Sequence, residues 1–240
     1  LFSYHKASEA FLRQIMPLFV SSHYKNSPND LQLLSDAPAH SIFVLCRPID
    51  KEGAKGLPDV YCAIQVCEEG GISKDVIMSN TKKVLKPSGD LIPWTISEHY
   101  QDNEFAHLTG VRIVRIACHP DYTKMGYGSR ALELLSEYYE GKFIDINDNK
   151  EDEEMKDEED NGEKKKKKKL KPLLSKLVDV KPNFVYYLGT SFGLTQGLFA
   201  FWKKNGYKPL YLKLTPNDIT GEHSCIMIKP IKEGNVSTIA

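Results

Sequence analysis

Strands alternating with helices through the second half of the chain predict an α/β domain with at least part of its sheet parallel. Two observations carry the prediction. The β-branched run Val111–Cys118 leads straight into a glycine loop that opens an amphipathic helix, and past residue 171 the pattern reads strand, helix, strand, strand. A third observation sets the domain count. At 240 residues and 41% hydrophobic content the chain can bury a proper core, but is long for one domain and short for two, so one interrupted domain is expected over 1–240.

In chain order, Phe11, Leu12, Ile15, Leu18 and Phe19 recur at helical spacing and predict a helix over Ser8–Val20. Short strands follow at Ile42–Cys46 and Val60–Cys67, each bounded by Pro or Gly. Gly71–Gly110 is weakly patterned, and its Ser88-Gly-Asp-Leu-Ile-Pro-Trp94 stretch reads as a loop whose Pro and Trp either plug the core or line a pocket. After strand Val111–Cys118 comes a helix carrying Ala131, Leu132, Leu135 and Tyr138, stopped at Gly141. The remaining elements are a strand at Phe184–Leu188, a helix at Leu194–Asn205 closed by Gly206, and strands at Leu210–Leu214 and Cys225–Ile228.

Between Asp145 and Lys171 the composition collapses. Glu151–Glu163 holds nine acidic residues and Lys164–Lys169 is an unbroken run of six lysines, a segment with nothing to bury and therefore expected to be disordered. The lysines read either as a nuclear signal or RNA tether, or as a solvated insertion whose opposite blocks neutralise each other. The 32 basic and 32 acidic residues of the whole chain cancel, so no global field draws it to nucleic acid or an anionic membrane, and any RNA contact must be local. Five cysteines are an odd number, and four lie in strand-like runs, as reduced thiols of a cytosolic or nuclear protein do. None has partners at zinc spacing, so no metal site is expected. No apolar run approaches a membrane span. The start at Leu1-Phe2, without Met, is what an excised domain or processed fragment looks like.

A strand, a glycine loop and a helix together suit a pyrophosphate. The first-turn N–H groups point at the anion, and glycines let its oxygens approach the backbone. Gly126-Tyr-Gly128 supplies the loop and Ser129 a hydroxyl. Gly126-x-Gly128-x-x-Ala131 also fits a dinucleotide fingerprint, but that motif belongs to the first strand–helix turn of its domain, and here two other strands come before the one that leads into the loop.

The residues around the loop, Val-Arg-Ile-Ala-Cys-His-Pro-Asp-Tyr and then Met-Gly-Tyr-Gly-Ser-Arg-Ala-Leu-Glu-Leu-Leu, resemble the acetyl-CoA motif of the GNAT acetyltransferases, and in particular the RNA cytidine acetyltransferase branch. Gly193-Leu-Thr, Phe201–Tyr207, Leu214–Met227 and Ser88–Thr95 are similar to further segments of that family, with a looser match at Tyr24–Cys46. The resemblance covers nearly all of the chain outside the insertion, in the expected order. It implies the GNAT acyl-CoA N-acyltransferase fold, an α/β domain with a mixed central sheet flanked by helices.

The resemblance further implies acetyl transfer from acetyl-CoA to the N4 amine of cytidine in small-subunit (18S) rRNA and tRNA, in ribosome biogenesis in the nucleus and nucleolus. Ile116, Ala117 and Cys118 would line the pantetheine arm. Thr123, Lys124, Met125, Gly126, Tyr127, Gly128 and Ser129 would hold the pyrophosphate, with Thr123 standing where the family usually has Gln and still offering its backbone N–H. Lys204 stands in place of an Arg, keeping the charge but losing the bidentate fork. His119 is the first choice for the group that takes the amine proton, with Glu222 and His223 second. Tyr127 and Trp202 either stack on a base or pack, and Arg112, Arg115 and Arg130 either meet phosphate or are ordinary surface arginines. ATP would serve only a helicase-like module outside this chain, and an RNA-binding adaptor would assist on tRNA. The alternatives are a protein lysine acetyltransferase and a non-catalytic acetyl-CoA-binding or RNA-docking module.

Overall fold

The computed structural model describes residues 6–22, 37, 39–48, 57–73, 76, 89–144, 173–218 and 220–232. The insertion expected over 145–171 and most of the looser match at Tyr24–Cys46 lie outside the described residues. Six strands form one sheet: β1 (His40–Cys46), β2 (Val60–Glu69), β3 (Gly110–Cys118), β4 (Tyr187–Gly193), β5 (Lys208–Leu212) and β6 (Ser224–Pro230), in the order β1-β2-β3-β4-β6-β5. Of the paired strands only β3 and β4 run parallel, and the crossover that joins them carries the helix Tyr127–Tyr139. Among the described residues the longer helices are α1 (Lys6–Ser22), α2 (Leu91–Tyr100), α3 (Tyr127–Tyr139) and α4 (Gln196–Lys204).

Strand alternation assigns each helix to a face. Cys62, Ile64, Val66, Val111, Ile113, Leu188, Cys225 and Met227 point to one side, where they pack with Leu132 and Leu135 of α3 and Trp202 of α4. On the other side Phe11, Ile15, Leu18 and Phe19 of α1 cover Val60, Ala63 and Ala117, while Ile92 and Ile96 of α2 cover Tyr187 and Ile226. The apolar stripe read for the first helix is the one that is buried.

Three boundaries differ from the sequence reading. The stretch read as a loop around Pro93 and Trp94 is helix α2. Pro93 is tolerated in its first turn, where an N–H would have no helical partner, and Trp94 is buried, so it plugs the core. The helix start is tied down from outside: the Ile92 N–H donates to Glu69 Oε2 at 3.1 Å, and the Gly70 N–H donates to Asp90 Oδ1 at 2.8 Å. Strand β4 lies later than Phe184–Leu188. Phe184 and Tyr186 are exposed and pack edge-on against each other at 4.8 Å. The strand instead runs through small residues, since a Cβ on Gly189 would collide with Ile92 of α2. Strand β5 begins at Lys208 rather than Leu210 and leaves Leu214 83% exposed. Its Pro209 is accommodated because β5 is an edge strand.

Candidate active site

Strand β3 pairs with β4 only from Gly110↔Tyr187 to Ile113↔Thr190. The cause lies on the other edge of β3. Gln65 faces Arg115 and Val66 faces Ile113, so Val114 is an extra residue on β3, a bulge that bends the strand and increases its twist. Beyond it, residues 115–118 stay with β2, while β4 stays with β6 as far as Gly193↔Ser224. The two parallel strands therefore diverge, and a wedge opens between their carboxyl ends. No described strand pairs with this edge of β3 past Ile113. Ile116 and Cys118 face the α3–α4 side, and Ala117 is buried against α1.

After Cys118 the chain turns through a short 3-10 helix, Pro120–Tyr122. The Thr123 N–H and Oγ1 both donate to the Pro120 carbonyl, at 3.3 and 3.0 Å. That N–H is thus spent on closing the turn, which corrects the expectation that it faces a phosphate. Lys124 (φ 61°) and Gly126 (φ 89°) then adopt left-handed backbone and swing the chain into α3. Met125 is 63% exposed. The first helical hydrogen bond runs from the Arg130 N–H to the Gly126 carbonyl at 3.0 Å, so the N–H groups ahead of it have no acceptor within the helix.

The two glycines serve different ends. A Cβ on Gly126 would meet nothing within 4 Å, which leaves open space over the backbone, as an anion needs. A Cβ on Gly128 would stand 3.3 Å from Cys118 Sγ and 3.6 Å from the Phe201 ring, so Gly128 is a close-packing position. Its N–H donates to Cys118 Sγ. Tyr127 packs against Tyr61 at 5.1 Å and Tyr122 at 6.0 Å, and Trp202 is buried among Phe192, Phe201 and Tyr207, so both take the packing role.

Gly126 and Ser129 line one open groove of about 630 Å³ with Lys204, which is distant in sequence, between α3 and the end of α4, together with Arg130, Asn205 and Lys229. Lys229 escaped the sequence reading because it enters the groove from β6, whose place in the sheet is not local information, while Asn205 follows the predicted Lys204 at the end of α4. Lys229 Nζ donates to Ser136 Oγ at 2.9 Å, and Arg130 pairs with Glu133 at 2.6 Å. Glu133, Glu137, Glu140 and Lys142 line the far part of the groove, where Arg130 and Lys142 are paired with Glu133 and Glu140, so the groove carries both signs. Lys204 beside an open glycine and a helix amino end is the part that suits a diphosphate. Arg112 is engaged away from the groove, paired with the buried Glu69 across β2–β3.

The proton-transfer candidates lie past the end of β3 and beside the end of β4. His119 follows β3 and lines a cavity of about 520 Å³ with Gln14, Asp59 and Tyr122. Its Nδ1 accepts the Asp121 N–H at 3.3 Å, so in the neutral ring the proton sits on Nε2, and the remaining nitrogen is a donor. Glu222 lies against the last residue of β4, and a Cβ on Gly193 would collide with its carboxylate. His223 turns away, its Nδ1 held by the Lys213 carbonyl at 3.0 Å. The residues read as one site thus form four neighbourhoods: the groove, the edge of β3 at the wedge, the His119 cavity beside α1, and the Glu222–His223 turn.

All five cysteines are free. The Cys118 thiol is brought down to about 7, first because the Cys62 S–H donates to it and further by the Gly128 N–H, with burial opposing both. Cys62 is pushed up by that same bond and by burial. Among the described residues no cluster of His, Cys, Asp and Glu suits a metal ion, and no helix is long and apolar enough to cross a membrane.

A family model described as GNAT acetyltransferase 2 matches residues 14–232. The RNA cytidine acetyltransferase of Dictyostelium discoideum is 51% identical over 260 residues, covering 100% of this chain and 25% of the relative. That of Saccharomyces cerevisiae is 50% identical over 250 residues, covering 99% and 24%. That of Homo sapiens is 51% identical over 241 residues, covering 97% and 23%. The chain spans about a quarter of the length of these relatives.

Proposed function

The chain belongs to the GNAT acetyltransferase 2 family, and from that premise we propose that it is the acetyl-transfer domain of an RNA cytidine acetyltransferase, moving the acetyl group of acetyl-CoA onto the exocyclic N4 amine of cytidine. The observation that carries the reading is the wedge between β3 and β4, with the glycine loop and groove at the amino end of α3 beside it. Acetyl-CoA supplies an activated acyl group as a thioester. Gly126, Ser129 and Lys204 are suited to its diphosphate, and the unpaired edge of β3 past Ile113 to its amide-bearing arm.

The N4 amine is a poor nucleophile because its lone pair is delocalised into the ring, so a carboxylate or ring nitrogen must take its proton. Glu222, at the end of β4, is the acceptor in this reading. His119, whose free nitrogen is the Nε2–H, donates a hydrogen bond on the β3 side. The edge of β3 offers backbone N–H groups to the negative charge that develops on the acyl oxygen. Small-subunit rRNA and tRNA as acceptors, ATP use by another module, a tRNA adaptor and a nucleolar site of action extend the proposal beyond this chain. Support for them is the naming of the relatives as RNA cytidine acetyltransferases and the family resemblance of the motifs.

The test is nucleoside mass spectrometry of RNA incubated with the full-length protein, acetyl-CoA and ATP. N4-acetylcytidine that disappears with Glu222→Gln is the expected result. Acetyl-lysine on protein with unmodified RNA would overturn the reading.

A further inference from the structure

Cys62 and Cys118 are Cα partners on the adjacent strands β2 and β3. The His119 N–H donates to the Tyr61 carbonyl at 2.9 Å, which makes Cys62 and Cys118 a non-hydrogen-bonded antiparallel pair. In such a pair the Cα atoms stand about 4.5 Å apart with the side chains drawn together. That separation lies within the range of about 4.4–6.8 Å that a disulfide spans without backbone movement. Both thiols point to the α3–α4 side, where the Cys118 sulfur also touches the first turn of α3 through Gly128. Cys62 is fully buried and Cys118 half-buried, so a small reagent meets Cys118 first.

We infer that Cys62 and Cys118 form a thiol–disulfide modification site that takes hydrogen peroxide as oxidant and loosens the amino end of α3 when it closes. The Cys118 thiolate attacks one peroxide oxygen, the O–O bond breaks, and hydroxide leaves, so that Cys118 becomes a sulfenic acid. The Cys62 sulfur then displaces the hydroxyl from Cys118. The S–S bond forms, the Cys62 proton leaves with that hydroxyl as water, and two electrons in all have passed from the sulfurs to the peroxide. Cys118 is suited to the first step because the Cys62 S–H and the Gly128 N–H both hold it as thiolate, whereas burial pushes up Cys46, Cys67 and Cys225. In the disulfide the Cys118 sulfur is neutral and bonded towards β2, and the Gly128 N–H loses its charged acceptor. The consequence for the donor rests on the acetyl-CoA reading proposed above, while the disulfide itself does not.

The experiment treats the chain with hydrogen peroxide, blocks residual thiols, digests without reductant and maps the peptides by mass spectrometry. Acetyl-CoA affinity is measured by calorimetry on reduced, oxidised and re-reduced protein. Expected are a linked Cys62–Cys118 peptide, its absence in Cys118→Ser, and a sulfenic acid trapped at Cys118 by dimedone in Cys62→Ser. Acetyl-CoA affinity should fall about tenfold on oxidation, the scale of one charge-assisted hydrogen bond, and return with dithiothreitol. Failure to find the linked peptide, or earlier oxidation of Cys46 or Cys67, would overturn the site. A linked protein with unchanged affinity would overturn its coupling to α3. Reduced protein that binds no acetyl-CoA would count against the donor reading alone, since the linked peptide is scored separately.

Discussion

A ring nitrogen that already accepts a hydrogen bond has no lone pair to spare for a substrate proton. His119 is held in that way by the Asp121 N–H, and this separates two roles that the sequence leaves merged. If the ring acts as a donor, a side chain that keeps an N–H should replace it. His119→Gln is expected to retain most of the acetylation rate, while His119→Ala lowers it ~10²-fold, both measured in single turnovers of the full-length protein. Equal losses in the two variants would return the proton-accepting role to the ring. Cys118 offers a second measurement at this scale. Its alkylation by iodoacetamide should be half-maximal near pH 7, where its thiolate forms. In Cys62→Ala, which removes the S–H donor, the midpoint should move upward towards an ordinary thiol. A midpoint unmoved by Cys62→Ala would mean that the cross-strand bond does not hold the thiolate. Neither property is legible in sequence: the tautomer follows from a turn two residues long, and the Cys pairing from a strand register that a single slip would reverse.

Among the elements, α2 shows how a helix with little amphipathic signal is fixed by its neighbours. Its start is pinned to Glu69, and Glu69 is buried because Arg112 pairs with it. Arg112→Ala leaves that carboxylate without its cation and should lower stability by about 3 kcal/mol, the scale of breaking a buried pair. Urea unfolding checks this, and a change under about 1 kcal/mol would mean that water replaces the guanidinium. The same dependence explains what the sequence conceals. The strong runs of α1, β2, β3 and α3 announce themselves because their apolar residues repeat with the element's own period. Strand β4 does not, since Gly189 is a position of close approach to Ile92 of α2 and interrupts the apolar period. The glycine loop was readable as an anion site, yet the division of labour between Gly126 and Gly128 was not, because it depends on where Cys118 and Phe201 lie in space.

For the whole molecule, we propose that the acidic and lysine-rich tract interrupts one domain. Residues 89–144 and 173–232 contribute to the same sheet and the same core. Replacing residues 145–171 by a short Gly/Ser linker is therefore expected to keep the melting temperature and acetyl-CoA affinity, since loop closure changes little with length. A sharp drop in melting temperature would assign the tract a structural part. The isolated chain should bind acetyl-CoA in a thermal-shift assay but acetylate structured RNA poorly. Its charge is balanced, and unstacking a cytidine costs a few kcal/mol. Efficient acetylation without the rest of the protein would show that target opening needs no further module.

The short contact between β3 and β4 has a mechanical consequence. Four residue pairs join β1-β2-β3 to β4-β6-β5, so the sheet is two three-stranded halves with a narrow seam. A ligand whose amides lie along the open edge of β3 lengthens that seam in the manner of an added strand, and its binding energy doubles as cohesion between the halves. Amide hydrogen exchange should register this as slower opening of Leu188–Phe192 and Ile113–Cys118 together, including amides the ligand never touches. Protection confined to the ligand's own contacts would mean that the halves already move as one plate.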